Sequence, residues 1–233
     1  MRTTFLSYIE KFEIITDSFP ALLDGTWVTL KITFLSLGLG LIIALPFSFG
    51  QVYGNKFIRN MISGYERVVR SIPGLVILFL IFYGFPEAGI RFSPFVACFV
   101  GLGIRSSAYQ SQIFRGAIQS VSTTQMRAAR SLGMTSFEGF RYIVLPQAFR
   151  VALPPWTNEF TIVLKDSSFA YALGVTELLR QGRYIISTQY EPMLIYLTVA
   201  GIYLFITLVV NRGIGNLEKR LEIPGFSSRE RIR

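Results

Sequence analysis

The chain has 233 residues, of which 51% are hydrophobic, 15% aromatic and only 16% charged, a balance suited to a membrane protein and not to a soluble domain. Its net charge of +9 stands on 23 Lys and Arg against 14 Asp and Glu, so the placement of that charge has to be read before a partner is inferred. One cysteine, Cys98, and no histidine exclude an intrachain disulfide, a Cys/His zinc site and every His-dependent triad.

Residues 1–25 mix charged and apolar side chains at helical spacing (Phe5, Ile9, Phe12 beside Glu10, Lys11, Glu13) and lack the unbroken apolar stretch of a cleavable signal, which predicts an amphipathic helix along the membrane. From Thr26 to Gly50 the chain is almost wholly apolar, long enough for a first spanning helix. Residues 51–70 are polar. A second span is expected over about 68–86, with Pro73 capping or kinking it. A third, about 92–113, turns polar after Gly103 (Arg105, Ser106, Ser107, Tyr109, Gln110, Gln112), so that half should face protein or water instead of lipid. Pro154 and Pro155 open a fourth span over about 153–176, a fifth follows at about 193–211, and residues 223–233 form a basic tail. Without repeats or a low-complexity linker, one membrane domain over 1–222 is the simplest account: an all-α polytopic membrane protein of five transmembrane helices.

Between the third and fourth spans lies a polar and basic island, residues 115–150. Ser122 with Gln125 and Thr135 with Glu138 have capping-box spacing, and Gly133 supplies a helix stop after Leu132. This pattern predicts helix, turn, helix. Met126, Ala128, Ala129 and Leu132 would form one apolar face and Phe137, Phe140 and Val144 the other, among Arg127, Arg130 and Arg141. Such a pair suits docking onto another protein, or lying on anionic lipid.

Fifteen Lys and Arg fall in residues 51–72, 113–150 and 211–233, against five in 1–25, 86–92 and 176–192. The positive-inside rule then sets the N-terminus outside and the island and C-terminus in the cytoplasm, and topology accounts for the basic balance without nucleic acid. In the fourth span Asn158, Glu159, Lys165 and Asp166 fall within an arc of about 120° on a helix, opposite Phe160, Val163 and Leu164. Two readings stand: this polar wedge lines a solute path, or it pairs internally and locks helices together.

The chain has no Walker A pattern, no GxSxG elbow and no metal-ligand cluster, which argues against an enzyme and for no cofactor or metal. At this point a resemblance carries further. The island, through Ala128, Ala129 and Gly133 with Ile143, Leu145 and Pro146 following, resembles the EAA loop of ATP-binding-cassette importer permeases of the polar amino acid group. LLDGTWVTLKIT (Leu22 to Thr33), the stretch Arg70, Ile72 and Pro73 on to Pro86, AYQSQIFRGAIQSV, and LPPWTNEFTIVLKDSSFAYALGVTELL (Leu153 to Leu179) resemble the same group, so about 20–222 is covered.

The resemblance implies a type I importer permease fold in the cell (inner) membrane. It implies two permease subunits, alike or homologous, two cytoplasmic ATP-binding subunits that hydrolyse ATP, and an extracytoplasmic solute-binding protein. Arg127, Ala128, Ala129, Leu132 and Gly133 would dock on the ATPase as a coupling helix. Asn158, Glu159, Lys165 and Asp166, with Arg105 and Gln112, would line or support the path of a polar amino acid. Two departures stand out: Arg127 occupies the place of the glutamate that names the loop, and Gln112 that of a common acidic residue late in the third helix. The alternatives are another small solute on the same machinery, or a membrane subunit that binds partners without transporting.

Overall fold

The computed structural model describes residues 2–121 and 123–221, with side chains over 11–121, 123–218 and 220. Ser122 and the tail at 223–233 lie outside them. Among the described residues every regular element is helical.

Helix α1, Arg2–Tyr53, runs unbroken through both the amphipathic N-terminal stretch and the first apolar span. At 1.5 Å per residue it is about 78 Å long, more than twice the roughly 30 Å hydrocarbon thickness. The polar segment after it is a helix too: α2, Lys56–Ser71, starts at Asn55, whose side chain accepts the Ile58 N–H at 2.9 Å, and it buries Ile62, Glu66 and Val69 at helical spacing. Pro73 forbids a helical Ile72, which is extended, so α2 stops and α3, Gly74–Phe79, starts anew. A π-turn (Leu80–Gly84) and a 3₁₀ turn (Phe85–Ala88) complete the region expected to be the second span, and the break falls at Pro73, where a cap or kink was expected.

Helix α4 is Pro94–Ser120. The island folds as α5, Thr123–Ser131, and α6, Ser136–Gly139, and a π-turn at Phe140–Val144 leads into α7, Leu145–Asp166. Pro154 and Pro155 sit inside α7 instead of opening it. A 3₁₀ segment (Ser167–Leu173), α8 (Leu178–Gln189) and α9 (Pro192–Leu221) follow.

Two of these helices are long and apolar enough alone to cross a membrane, over Lys11–Tyr53 and Pro192–Glu218. A third joins them if the broken pair Lys56–Ser71 and Gly74–Ala88 counts as one span. Helix α4 falls short of that standard because its second half is polar. Ser106, Ser107, Gln110 and Ser111 there are fully buried inside the protein, as the pattern after Gly103 requires.

The chain divides into two compact units, residues 1–36, 73–103 and 162–208 in the first and 37–72, 104–161 and 209–233 in the second. In the first, Leu22, Leu178, Ile185, Ile195 and Val199 form the core. There the Glu177 carboxylate caps α8 by accepting the Leu179 and Arg180 N–H groups, each at 2.8 Å, while the Tyr203 hydroxyl donates to it at 3.2 Å. Leu178 N–H donates to Thr29 Oγ1 at 3.2 Å, which ties α1 to the start of α8. In the second unit, Phe114, Ile118, Val121, Met126, Phe140, Val144 and Ala148 form a core joining α4 to the island, with Leu41, Leu45 and Phe49 of α1 packed against it.

Candidate functional site

The island is a rigid hairpin because both ends of its turn are closed locally. Gly133, at φ +84°, ends α5: its N–H donates to the Arg130 carbonyl at 3.0 Å and the Met134 N–H to the Ala129 carbonyl at 3.1 Å, the bond pair of a Schellman stop. Thr135 then opens α6 with a full capping box, Glu138 N–H to Thr135 Oγ1 at 3.2 Å and Thr135 N–H to Glu138 Oε2 at 2.8 Å. The Thr135 backbone N–H, and after it the Thr135 hydroxyl, hold the Glu138 carboxyl below the usual carboxylate range.

The two arms meet through Met126 and Ala129 of α5. A Cβ on Gly139 would lie 2.9 Å from Met126 Sδ and 3.1 Å from the Ala129 Cβ, so a larger residue there would push Met126 aside and crowd Ala129. Of the five residues expected to dock a partner, Ala129 is therefore committed inward and fully buried, while Arg127, Ala128, Leu132 and Gly133 are exposed. Leu132 is 77% exposed, and with Gly133, Met134, Glu138 and Tyr142 it lines a shallow depression. Of the second arm's apolar face, Phe140 and Val144 are buried and Phe137 is exposed, at 60%. Arg127, Arg130 and Arg141 of the same segment are exposed too.

Two polar networks support the hairpin's unit. In one, Trp156 Nε1 donates to Gln110 Oε1 (2.9 Å), Gln110 Nε2 donates to the Leu37 carbonyl (3.1 Å) and Ser106 Oγ (3.0 Å), and Ser106 Oγ donates to Glu159 Oε1 (2.7 Å). This chain of bonds ties α1, α4 and α7. Gly40 permits it, since a Cβ there would fall 2.6 Å from Gln110 Nε2. In the other, the buried Glu66 of α2 accepts Gln51 Nε2 from α1 at 2.6 Å and Ser111 Oγ from α4 at 2.5 Å, and also accepts Gln112 Nε2. Alongside, the Arg70 and Arg105 guanidinium groups lie 4.9 and 5.1 Å from the Tyr109 ring centroid.

The 120° polar arc is thus divided by its surroundings. Glu159 is 3% exposed and hydrogen-bonded to α4, whereas Asn158 and Lys165 are exposed and Asp166 is half-buried. Arg105 is half-buried, and Gln112 points to Glu66. Asn158, Glu159, Arg105 and Gln112 belong to the second unit, Lys165 and Asp166 to the first. Sequence reading missed Glu66, although Ile62, Tyr65, Glu66 and Val69 at helical spacing after an Asn cap mark an amphipathic helix with a carboxyl on its inner face. Among the described residues no group of three or more acidic, Cys or His side chains is placed to hold a metal.

Buried polar networks inside long helices with apolar outer surfaces, joined to a capped polar hairpin, define an all-helical integral membrane protein. Residues 36–223 match the family described as binding-protein-dependent transport system inner membrane component, and the chain belongs to that family. It is 38% identical over 210 residues, 86% of this chain and 87% of the relative, to the nopaline transport system permease protein NocM of Agrobacterium fabrum. It is 36% identical over 211 residues, 90% and 96% of the two chains, to the glutamine transport system permease protein GlnP of Escherichia coli. Among solved structures, an amino acid ABC transporter with histidines matches with a TM-score of 0.79 at 36% identity, over 88% of this chain and 96% of that one. The inward-facing MetNI methionine ABC transporter matches with a TM-score of 0.74 over 87% and 97%; at 22% identity that likeness concerns the fold alone.

Proposed function

We propose that this chain is the permease subunit of an ATP-binding-cassette importer for polar amino acids in the cell (inner) membrane, with ATP hydrolysis on a separate subunit. The observation that carries the reading is the hairpin: a locally capped, rigid element that presents Leu132 and Gly133 outward among Arg127, Arg130 and Arg141, in a chain of the binding-protein-dependent family. Relatives named for nopaline and glutamine transport support an amino acid as solute.

In this reading Arg127, Ala128, Leu132 and Gly133 form the face docked on the ATPase, and Ala129 sets the hairpin's internal packing. The basic rim calls for a partner groove with carboxylates around an apolar floor, the inverse of a groove suited to a glutamate at 127. Asn158 of α7, with Arg105 beside Tyr109, meets the solute, and the Arg70 and Arg105 guanidinium groups favour one that carries a carboxylate; Lys165 is exposed in the other unit and is assigned to the path on the resemblance alone. Glu159 and Gln112, held by hydrogen bonds within the protein, act as helix ties. Asp166, next to Lys165 and half-buried, supports the path.

Five spans are completed by α4 and α7, with the N-terminus outside and the hairpin and C-terminus in the cytoplasm. The face of α9 formed by Leu197, Leu204, Phe205 and Leu208 is exposed and suits lipid or a second permease subunit. An extracytoplasmic binding protein delivers the solute, and ATP binding and hydrolysis alternate the access of the path.

The test is reconstitution of the chain with its copurifying ATPase and binding protein in liposomes, with ATP hydrolysis measured against a panel of amino acids. Stimulation by one or a few polar amino acids, with matching uptake, is expected. A purified complex without an ATPase, or one that no amino acid stimulates, would overturn the assignment.

A further inference from the structure

Glu66 is the one acidic side chain of α2, and it is 3% exposed. A buried carboxylate is costly unless donors replace its water, and apolar side chains of the same volume would pack α2 against its neighbours at lower cost. Here three donors from two other helices converge on it. Ser111 Oγ serves Oε1, and the Gln51 and Gln112 amides both serve Oε2, so both carboxylate oxygens act as acceptors. Arg115, one turn beyond Ser111 on α4, adds a positive charge to the same helix face, and its Nε is buried with no hydrogen-bond partner in the structure. All three donors are served together by a carboxylate: an amide at 66 that kept its oxygen toward the Gln51 and Gln112 amides would turn its NH₂ group on Ser111 Oγ, which would then have to accept instead of donate.

The location gives this cluster a mechanical role. Helix α4 runs on from Gln112 to Ser120 and α5 of the hairpin starts at Thr123, so the Glu66 cluster ties α4 to its neighbours α1 and α2 about three helical turns before the hairpin. We propose that Glu66 and Gln112 form a carboxylate and amide pair that fastens α2 and α1 to α4, and that transport requires one carboxyl group at this spot, on either helix. Movement of the hairpin is passed to α1 and α2 through this pair. Glu66 is a positioning residue: it touches neither solute nor nucleotide. The inference rests on the importer reading.

The experiment is a double-mutant cycle on the reconstituted complex, read as solute uptake and as recovery of the intact complex after mild detergent extraction. Glu66→Gln removes the carboxyl group and lowers uptake about tenfold or more; Gln112→Glu sets two carboxyl groups at hydrogen-bonding distance and lowers it as well. Glu66→Gln combined with Gln112→Glu moves the single carboxyl group across the pair and returns uptake to within about threefold of the unaltered chain. Recovery of assembly in the double variant after its loss in the singles supports the pair equally. Uptake by Glu66→Gln at the unaltered rate refutes the proposal, as does a double variant no better than the worse single, or one that fails to assemble. An unaltered complex that takes up no amino acid refutes the importer reading instead, so the two failures are distinguishable.

Discussion

Replacement of Gly133 tests the hairpin at the point where its geometry is most demanding. The residue sits at φ +84°, and a Cβ built there meets nothing within 4 Å, so the whole cost of a side chain lies in the backbone. Holding an alanine in the left-handed region costs roughly 1–2 kcal/mol, and a β-branched valine costs more. That amount shifts the equilibrium of the turn by about 5- to 30-fold. It acts on the two bonds that close α5, from Gly133 to Arg130 and from Met134 to Ala129. Asparagine tolerates this conformation best after glycine, so the expected order of solute-stimulated ATP hydrolysis is Gly, Asn, Ala, Val. Hydrogen exchange at the Met134 amide should rise in the same order. Equal activity and equal protection in all four chains would refute the claim that a rigid hairpin stop transmits the signal.

Leu132→Ala should leave the permease's own stability within about 0.5 kcal/mol, since the side chain is already outside. The same change should weaken ATPase capture by about tenfold or more, through an apolar contact of about 1.5–3 kcal/mol; a binding assay with immobilised permease measures it. Arg127→Glu should reduce ATPase binding and flatten its dependence on salt between about 50 and 500 mM, whereas unchanged binding would exclude an acidic rim on the partner. The Glu138 carboxyl, held low by Thr135, stabilises the hairpin above the ordinary carboxylate range, and the contribution fades as pH falls through its lowered folded value. The protection of α6 amides against exchange, relative to the unfolded chain at each pH, should therefore be flat from neutral pH to about 5 and fall in more acidic buffer; Glu138→Gln should abolish that fall and Thr135→Ala, which keeps the backbone N–H, should only reduce it. Glu177→Ala leaves the first N–H groups of α8 and the Tyr203 hydroxyl without their acceptor, an expected loss of about 1–2 kcal/mol, visible as faster proteolysis within Leu178–Gln189.

What was legible in the sequence was local. The Gly133 stop and the box of Thr135 and Glu138 depend on residues at most a few positions apart, and both stand where spacing put them. The buried polar second half of α4 was legible because so many polar side chains inside an apolar run require shelter. Glu66 was not, because its donors come from 15, 45 and 46 positions away and no spacing rule joins them. A helical wheel groups Asn158 with Glu159, but only the arrival of Ser106 from α4 decides which of the two is buried. The prolines of α7 misled in a different way: Pro154 and Pro155 are exposed inside the helix, where the two missing N–H groups are tolerated, so a rule for helix starts placed a boundary that the backbone does not have.

The π-turn at Phe140–Val144 gives the junction between hairpin and α7 an angular meaning. One residue more than an α-helical turn is wound into it, and each residue of a helix turns the chain by about 100°. Phe140 and Val144, at its two ends, both lie in the core. Adding or deleting a single residue here would swing the docking face a quarter of a circle or more away from its groove while leaving every side chain of the face intact. The junction therefore works as a phase setting, in which the number of residues matters more than their identity.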